Sequence, residues 1–238
     1  MMEIFNNDCL EKLKEIDDKR VDCVICDLPY GTTACKWDNK IDLNELWREL
    51  KRVAKNENTP YFFFCDMKFA SEIISSNPKM FRYDLVWFKR NSGAGYLQSG
   101  KMPLRKHEII LVFYKKLPTY NKNKYHNKKD DIEKHQSKTS LYGDTKYKVC
   151  GKGSHYDIPL PISVLEYDIE SKRQHTTQKP QPILEWIIKY YTNEGNTILD
   201  PTMGSGSTGV ACKTLNRKFI GIELDEKYYE IAKKRLDL

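Results

Sequence analysis

Three features of the 238-residue chain predict an α/β fold built on a mostly parallel sheet. Short β-rich apolar segments alternate with helical patterns, the rhythm of strands joined by crossover helices. A glycine-rich turn at 200–209 joins a strand directly to a helix. A lysine-rich stretch interrupts the alternation once and does not extend it.

The elements follow in order. Val21–Cys26 (VDCVIC) reads as a strand that ends at Asp27-Leu28-Pro29-Tyr30-Gly31. In the next segment Leu43, Leu46, Trp47, Leu50, Val53 and Ala54 fall on one helical face, and Asp42 with Glu45 resembles a capping box. Tyr61–Cys65 (YFFFC) is a buried strand and Phe69–Ile74 a short helix. Asp84–Phe88 and Ile109–Tyr114 are strands, separated by a glycine-rich loop at 91–106. Beyond the lysine-rich stretch come helix Pro182–Tyr191, strand Thr197–Leu199, helix Thr208–Leu215, strand Phe219–Ile222 and helix Glu226–Leu236. The interruption reads as an inserted lobe, giving segments 1–115, 116–171 and 172–238.

Composition narrows the class. With 39% hydrophobic residues the chain can bury a core. No apolar run approaches the roughly 18 residues of a membrane span, and the start lacks the basic and apolar regions of a secretory signal. Seven scattered cysteines suit reduced thiols in a cytoplasm better than a disulfide framework. Residues 115–156 hold eleven lysines against four acids, which accounts for the whole net charge of +7. Such a concentration is a footprint for a polyanion, or alternatively a solvated loop.

Two turns carry chemistry. The Asp200–Gly209 loop (DPTMGSGSTG) opens a helix, where glycines permit close backbone approach and free N–H groups face a ligand. It lacks the Lys-Ser/Thr ending of a phosphate-binding loop. Glu223, at the end of the next strand, is placed to accept hydrogen bonds from a ribose diol. Asp27-Leu28-Pro29-Tyr30 is ordinary turn chemistry in one reading. In the other, the Asp27 carboxylate and the Leu28 carbonyl accept the N–H bonds of an aryl amine while Tyr30 stacks on its ring. That would favour a pyramidal, more nucleophilic nitrogen. Cys23-x-x-Cys26 has no second pair at zinc-site spacing and reads as two small buried hydrophobes.

These residues resemble the DNA amino-methyltransferase family. DLPYG is similar to the family's Asp-Pro-Pro-Tyr, DPTMGSGSTG to its cofactor loop, and His175–Pro180 (HTTQKP) to its His-x-Thr-Gln-Lys-Pro segment. Asp8 stands at the position that contacts the cofactor adenine. The order of catalytic motif, basic region and cofactor loop is that of the β-group. The resemblance implies a Rossmann-like methyltransferase fold with a seven-stranded, mostly parallel sheet and a target-recognition lobe at 116–171. It implies transfer of a methyl group from S-adenosylmethionine to adenine N6 in DNA, within a restriction–modification setting. Asp27, Leu28, Pro29 and Tyr30 would be catalytic. Asp8, Asp200, Thr202, Gly204, Ser205, Gly206, Ser207, Thr208 and Glu223 would hold the cofactor, with Lys179 at its methionine end. The partner would be double-stranded DNA with the target base flipped out. No metal is required, and a homodimer is compatible with the family.

Leu28 replaces the usual first proline, and Thr202 stands where a phenylalanine commonly flanks the cofactor. Cytosine N4 is the nearest rival target, although serine rather than Asp27 is more typical of those enzymes. A protein or RNA N-methyltransferase, a zinc-dependent nucleic-acid binder and an inactive DNA-binding relative are the others.

Lysines act as point charges, whereas arginine suits bidentate base reading. Changing Lys128→Ala together with Lys129→Ala is therefore expected to weaken binding to cognate and random DNA alike. For each phosphate no longer neutralised, the plot of log affinity against log salt should flatten by about 0.9. An unchanged slope with an altered methylated sequence would make these lysines base readers.

Overall fold

The computed structural model describes residues 1–29, 40–126, 160–170 and 178–238. Tyr30, Gly31, the centre of the lysine-rich stretch and His175–Thr177 lie outside the described residues. The chain divides into two compact units, one of Met1–Tyr120 with Ser163–Leu238, the other Asn121–Ile162.

The larger unit holds one eight-stranded sheet. Its strands are β1 (Met2–Asn6), β2 (Cys23–Cys26), β3 (Tyr61–Cys65), β4 (Phe81–Lys89), β5 (His107–Phe113), β6 (Val164–Tyr167), β7 (Thr197–Asp200) and β8 (Lys218–Glu223). They lie in the order β1-β8-β7-β2-β3-β5-β4-β6. Only β5 runs against its neighbours, β3 and β4; every other pairing is parallel. The apolar pattern singles out six of these strands, and one further strand at each edge, β1 and β6, brings the sheet to eight where seven are expected. β1 carries a mixed sequence, and β6 is a four-residue strand inside the 116–171 segment expected to form the lobe.

Helices α1 (Cys9–Glu15), α2 (Leu43–Val53) and α3 (Met67–Ser76) pack in sequence with one another. The short α4 (Lys122–Tyr125) belongs to the smaller unit. Helices α5 (Gln181–Tyr191), α6 (Ser207–Thr214) and α7 (Glu226–Leu236) form a second set. Strand β3 shows why two sets are needed. All five of its residues are buried, and alternate side chains leave opposite faces of a strand. Phe63 meets Trp47 of α2 at 5.1 Å between ring centroids, while Phe62 meets Tyr191 of α5 at 4.9 Å. Helices α1, α2, α3 and α7 start where an aspartate side chain satisfies free N–H groups. Asp42 accepts from the amides of Asn44 (2.8 Å) and Glu45 (3.2 Å), and Asp225 does the same for α7. With both faces covered, the carboxyl edge of the strands is where functional side chains collect.

Candidate active site

The crevice sits where the sheet changes direction. β2 and β7 are adjacent and parallel, with Val24 opposite Leu199. The chain proceeds from β2 towards β3 on one side and from β7 towards β8 on the other. The two loops that leave their carboxyl ends therefore diverge, which opens a ligand cleft at a switch point. Asp27 follows β2 directly, and Asp200 is the last residue of β7. The Thr202 hydroxyl donates to the Asp27 carbonyl at 3.1 Å and ties the loops together. Asp200 is buried and pins the second loop, accepting from the Thr202 amide (3.1 Å) and the Thr208 hydroxyl (2.6 Å). Burial pushes the Asp200 carboxyl up to about 7 despite both hydrogen bonds.

One side of the cleft is a set of oriented acceptors. Glu223 ends β8 and is buried; its two oxygens accept from the amides of Gly204 and Asp225, each at 2.8 Å. Burial raises its carboxyl, with the backbone donors working in the opposite direction. An ionised carboxylate has about four acceptor sites, so capacity remains for a diol. Asn6 of β1 is paired with Glu223 in register, which brings Asp8 to the same edge. The Asp8 carboxylate caps α1, with Oδ1 accepting from Leu10 (2.8 Å) and Glu11 (3.1 Å).

Gly206 has a packing reason for being glycine. Its φ is +77°, and an added Cβ would lie 2.9 Å from the Ala232 Cβ of α7. The missing side chain makes room for a helix. The loop is further held by Arg235 of α7, which donates to the Ser205 carbonyl (2.7 Å), the Ser205 hydroxyl (2.9 Å) and the Ser207 hydroxyl (3.1 Å).

The other side carries alternating charge. Lys179 is buried and donates to Asp27 Oδ2 at 2.6 Å; Glu108 Oε2 lies 3.5 Å from the same ammonium. Lys89 pairs with the other oxygen of Glu108. Burial pulls the Lys179 ammonium down, but Asp27 and Glu108 outweigh it and hold its pKa above the usual lysine range. Burial likewise raises Glu108, and Lys179 and Lys89 outweigh it and keep the carboxyl low. The Lys179 ammonium also lies over the Phe64 ring, 5.4 Å from its centroid. Leu28 is buried in the core, so the residue at the usual proline position anchors the turn by packing.

The structure thus gathers Asp8, Asp27, Leu28, Thr202, Gly204 and Glu223 along one edge of the sheet. Lys179, expected at the methionine end of a cofactor, has the Asp27 carboxylate as a partner. Glu108, Lys89 and Arg235 carry no motif that marks them in the sequence. The usable signal for Glu108 is an isolated acid at the start of an apolar strand, His107–Phe113. Cys23 and Cys26 are fully buried in β2, and burial pushes both thiols up. Among the described residues no cluster of three or more His, Cys, Asp or Glu side chains is arranged to hold a metal ion.

A cofactor bearing an adenine amine, a ribose diol and a cationic sulfonium offers donors and positive charge to this carboxylate-lined cleft. The oriented Glu223 carboxylate beside the Gly204 turn fits such a group. A doubly wound sheet with these acceptors at its switch point fits the class of S-adenosylmethionine-dependent methyltransferases.

The chain belongs to the N6/N4 DNA methylase family, whose model matches residues 21–234. It is 29% identical to the type II methyltransferase M.HpaI of Haemophilus parainfluenzae, over 97% of this chain and 73% of that protein. It is also 29% identical to the DNA adenine methyltransferase YhdJ of Escherichia coli (strain K12), over 99% of this chain and 82% of that one. The crystal structure of the M1.HpyAVI–SAM complex matches with a TM-score of 0.70 and 28% identity, covering all of both chains. The cytosine-N4-specific PvuII DNA methyltransferase shares the fold, with a TM-score of 0.72 at 14% identity over 98% of this chain and 86% of that one.

Gly206→Ala should cost about 1–3 kcal/mol in denaturant unfolding, through strain at positive φ and overlap with α7. Ala232→Gly should recover part of that loss; no recovery would mean that the clash is not the cause. Asp200 adds a pH signature. Its folded pKa of about 7 exceeds the reference value of 3.8. The stability it contributes is therefore present below about 4 and lost as pH rises through about 7. Asp200→Asn removes this titration, so its melting temperature should gain on the parent between pH 5 and 7 and run parallel above. A difference independent of pH would contradict the assignment.

Proposed function

We propose that this chain methylates N6 of adenine in DNA, acting on a base swung out of the duplex into the switch-point cleft. The observation that carries the reading is the Asp27 carboxylate, held by Lys179 at the end of β2, facing a cleft whose other wall bears Glu223. The exocyclic amine of adenine is a weak nucleophile because its lone pair is delocalised into the ring. Asp27 and the Leu28 carbonyl accept its two N–H bonds and favour the pyramidal nitrogen. Tyr30 is the stacking partner in this reading. The Thr202–Asp27 bond joins the base-binding turn to the cofactor-binding turn, so the two reactants meet at a set separation.

When bound, S-adenosylmethionine supplies an electrophilic methyl group whose sulfur departs as a neutral thioether. Glu223 orients the ribose and Asp8 the adenine of that cofactor. The nitrogen forms its bond to the methyl carbon as the carbon–sulfur bond breaks, and the resulting cationic nitrogen then loses its extra proton to solvent, while the charge of Asp27 favours the positive charge developing on nitrogen. Inside a duplex this amine is shielded by pairing and stacking, which is why the base must leave the helix. The 116–171 segment, with its lysines, serves DNA positioning, and a homodimer would present two such lobes.

Incubation with DNA and methyl-labelled cofactor, followed by digestion to nucleosides and mass spectrometry, should yield N6-methyldeoxyadenosine. N4-methyldeoxycytidine would move the reading to the rival base, and no labelled nucleoside would refute it. Asp27→Ala should bind the cofactor with near-parental affinity and lose about 10²–10³ in turnover. Near-normal turnover would remove Asp27 from the chemistry.

A further inference from the structure

Glu108 is a charged group beside the catalytic turn that no step above employs. It arrives there through topology. β5 is antiparallel to β3 and β4, so its first residues reach the edge where the parallel strands end. Glu108 lies opposite Trp87 in the pairing, one residue beyond the Cys65–Ile109 pair. Its Oε2 is sealed from solvent and, among the described residues, accepts no hydrogen bond; the Lys179 ammonium stands 3.5 Å away. Its other oxygen pairs with Lys89, whose ammonium lies over the Trp87 ring, 4.8 Å from its centroid. The charges alternate in sign from one contact to the next, Lys89 to Glu108, Glu108 to Lys179 and Lys179 to Asp27.

A buried ammonium attracted by one carboxylate alone would be drawn wholly onto Asp27 and could follow it as substrate enters. A second carboxylate behind it holds the ammonium in place, and Lys89 offsets the extra negative charge. We propose that Glu108, with Lys89 behind it, is a positioning residue that anchors Lys179 and so fixes the direction in which Asp27 presents its carboxylate to the target amine. The inference rests on the reading of Asp27 as the amine acceptor. It assigns Glu108 no contact with base or cofactor. Removing it therefore alters the rate of methyl transfer and leaves cofactor binding in place.

The test is a double-mutant cycle on the full chain, with Glu108→Gln, Asp27→Asn and both together. Single-turnover methylation of DNA and equilibrium binding of S-adenosylmethionine are the readouts. Glu108→Gln should slow transfer about ten- to a hundredfold, the scale of a small misplacement of a reacting group, with cofactor affinity unchanged. In the Asp27→Asn background it should add less than about twofold, because residues acting through one another are not additive. A parental rate for Glu108→Gln, or an undiminished penalty in the Asp27→Asn background, overturns the proposal. An Asp27→Asn protein as fast as the parent overturns instead the reading of Asp27 on which it rests. Should Glu108→Gln lose cofactor binding or fold, Lys89→Gln is judged by the same two readouts, and a parental transfer rate in that variant overturns the proposal.

Discussion

Everything functional in this chain depends on one constraint, the divergence of the two loops that leave β2 and β7. Adjacent parallel strands whose chains continue to opposite sides cannot fill the space between their carboxyl ends. That space is then lined by whatever residues begin the loops, here Asp27 and Asp200. The Thr202–Asp27 hydrogen bond spans the gap without closing it. Helices on both faces leave the edge as the only place where polar side chains can gather without breaking the apolar interior. Arg235 and the Gly206–Ala232 contact fasten the second loop to α7, so the loop is held in shape by the closing helix.

Charge in the cleft is divided in two. Around Glu223 the carboxylate is oriented by backbone donors, an arrangement suited to receiving a neutral diol. Around Asp27 the carboxylate is paired with a buried ammonium that is itself paired again. Buried ion pairs are weak evidence of stability, because desolvation costs about as much as attraction returns. Their value here is geometric. Carboxylates and ammoniums that contact one another in alternation have few low-energy arrangements, and this restricts the direction of the Asp27 carboxylate.

Much of this is legible in the residues. The buried central strands announce themselves as continuous apolar runs, VDCVIC and YFFFC, and α2 shows its amphipathic face and its cap. The two loops read directly as ligand-binding turns because their glycines and acids sit at strand ends. Edge strands are harder to see. No residue of β1 is fully buried, so MEIFN carries no clear apolar signature, and β6 acquires its identity only by pairing with β4. The direction of β5 is likewise invisible, and with it the arrival of Glu108 beside Lys179. A pattern of apolar residues states that a strand is buried, not which way it runs. Lys179 is legible as a site residue, but its ion pairs with Asp27 and Glu108 are not, since these partners come from the turn after β2 and from β5, distant in sequence. Gly206 is legible as special, but its reason is packing against Ala232, which only tertiary structure supplies.

In the proposed reaction one cleft holds the cofactor against Glu223 and presents its methyl group to the turn at Asp27. A crystal structure of the chain with S-adenosylmethionine tests this directly. The account predicts the ribose hydroxyls on Glu223, the adenine beside Asp8, and the sulfonium methyl directed towards the space in front of Asp27 and the Leu28 carbonyl, with Lys179 still on Asp27. A cofactor bound with its ribose away from Glu223, or with its methyl group turned from Asp27, would contradict it.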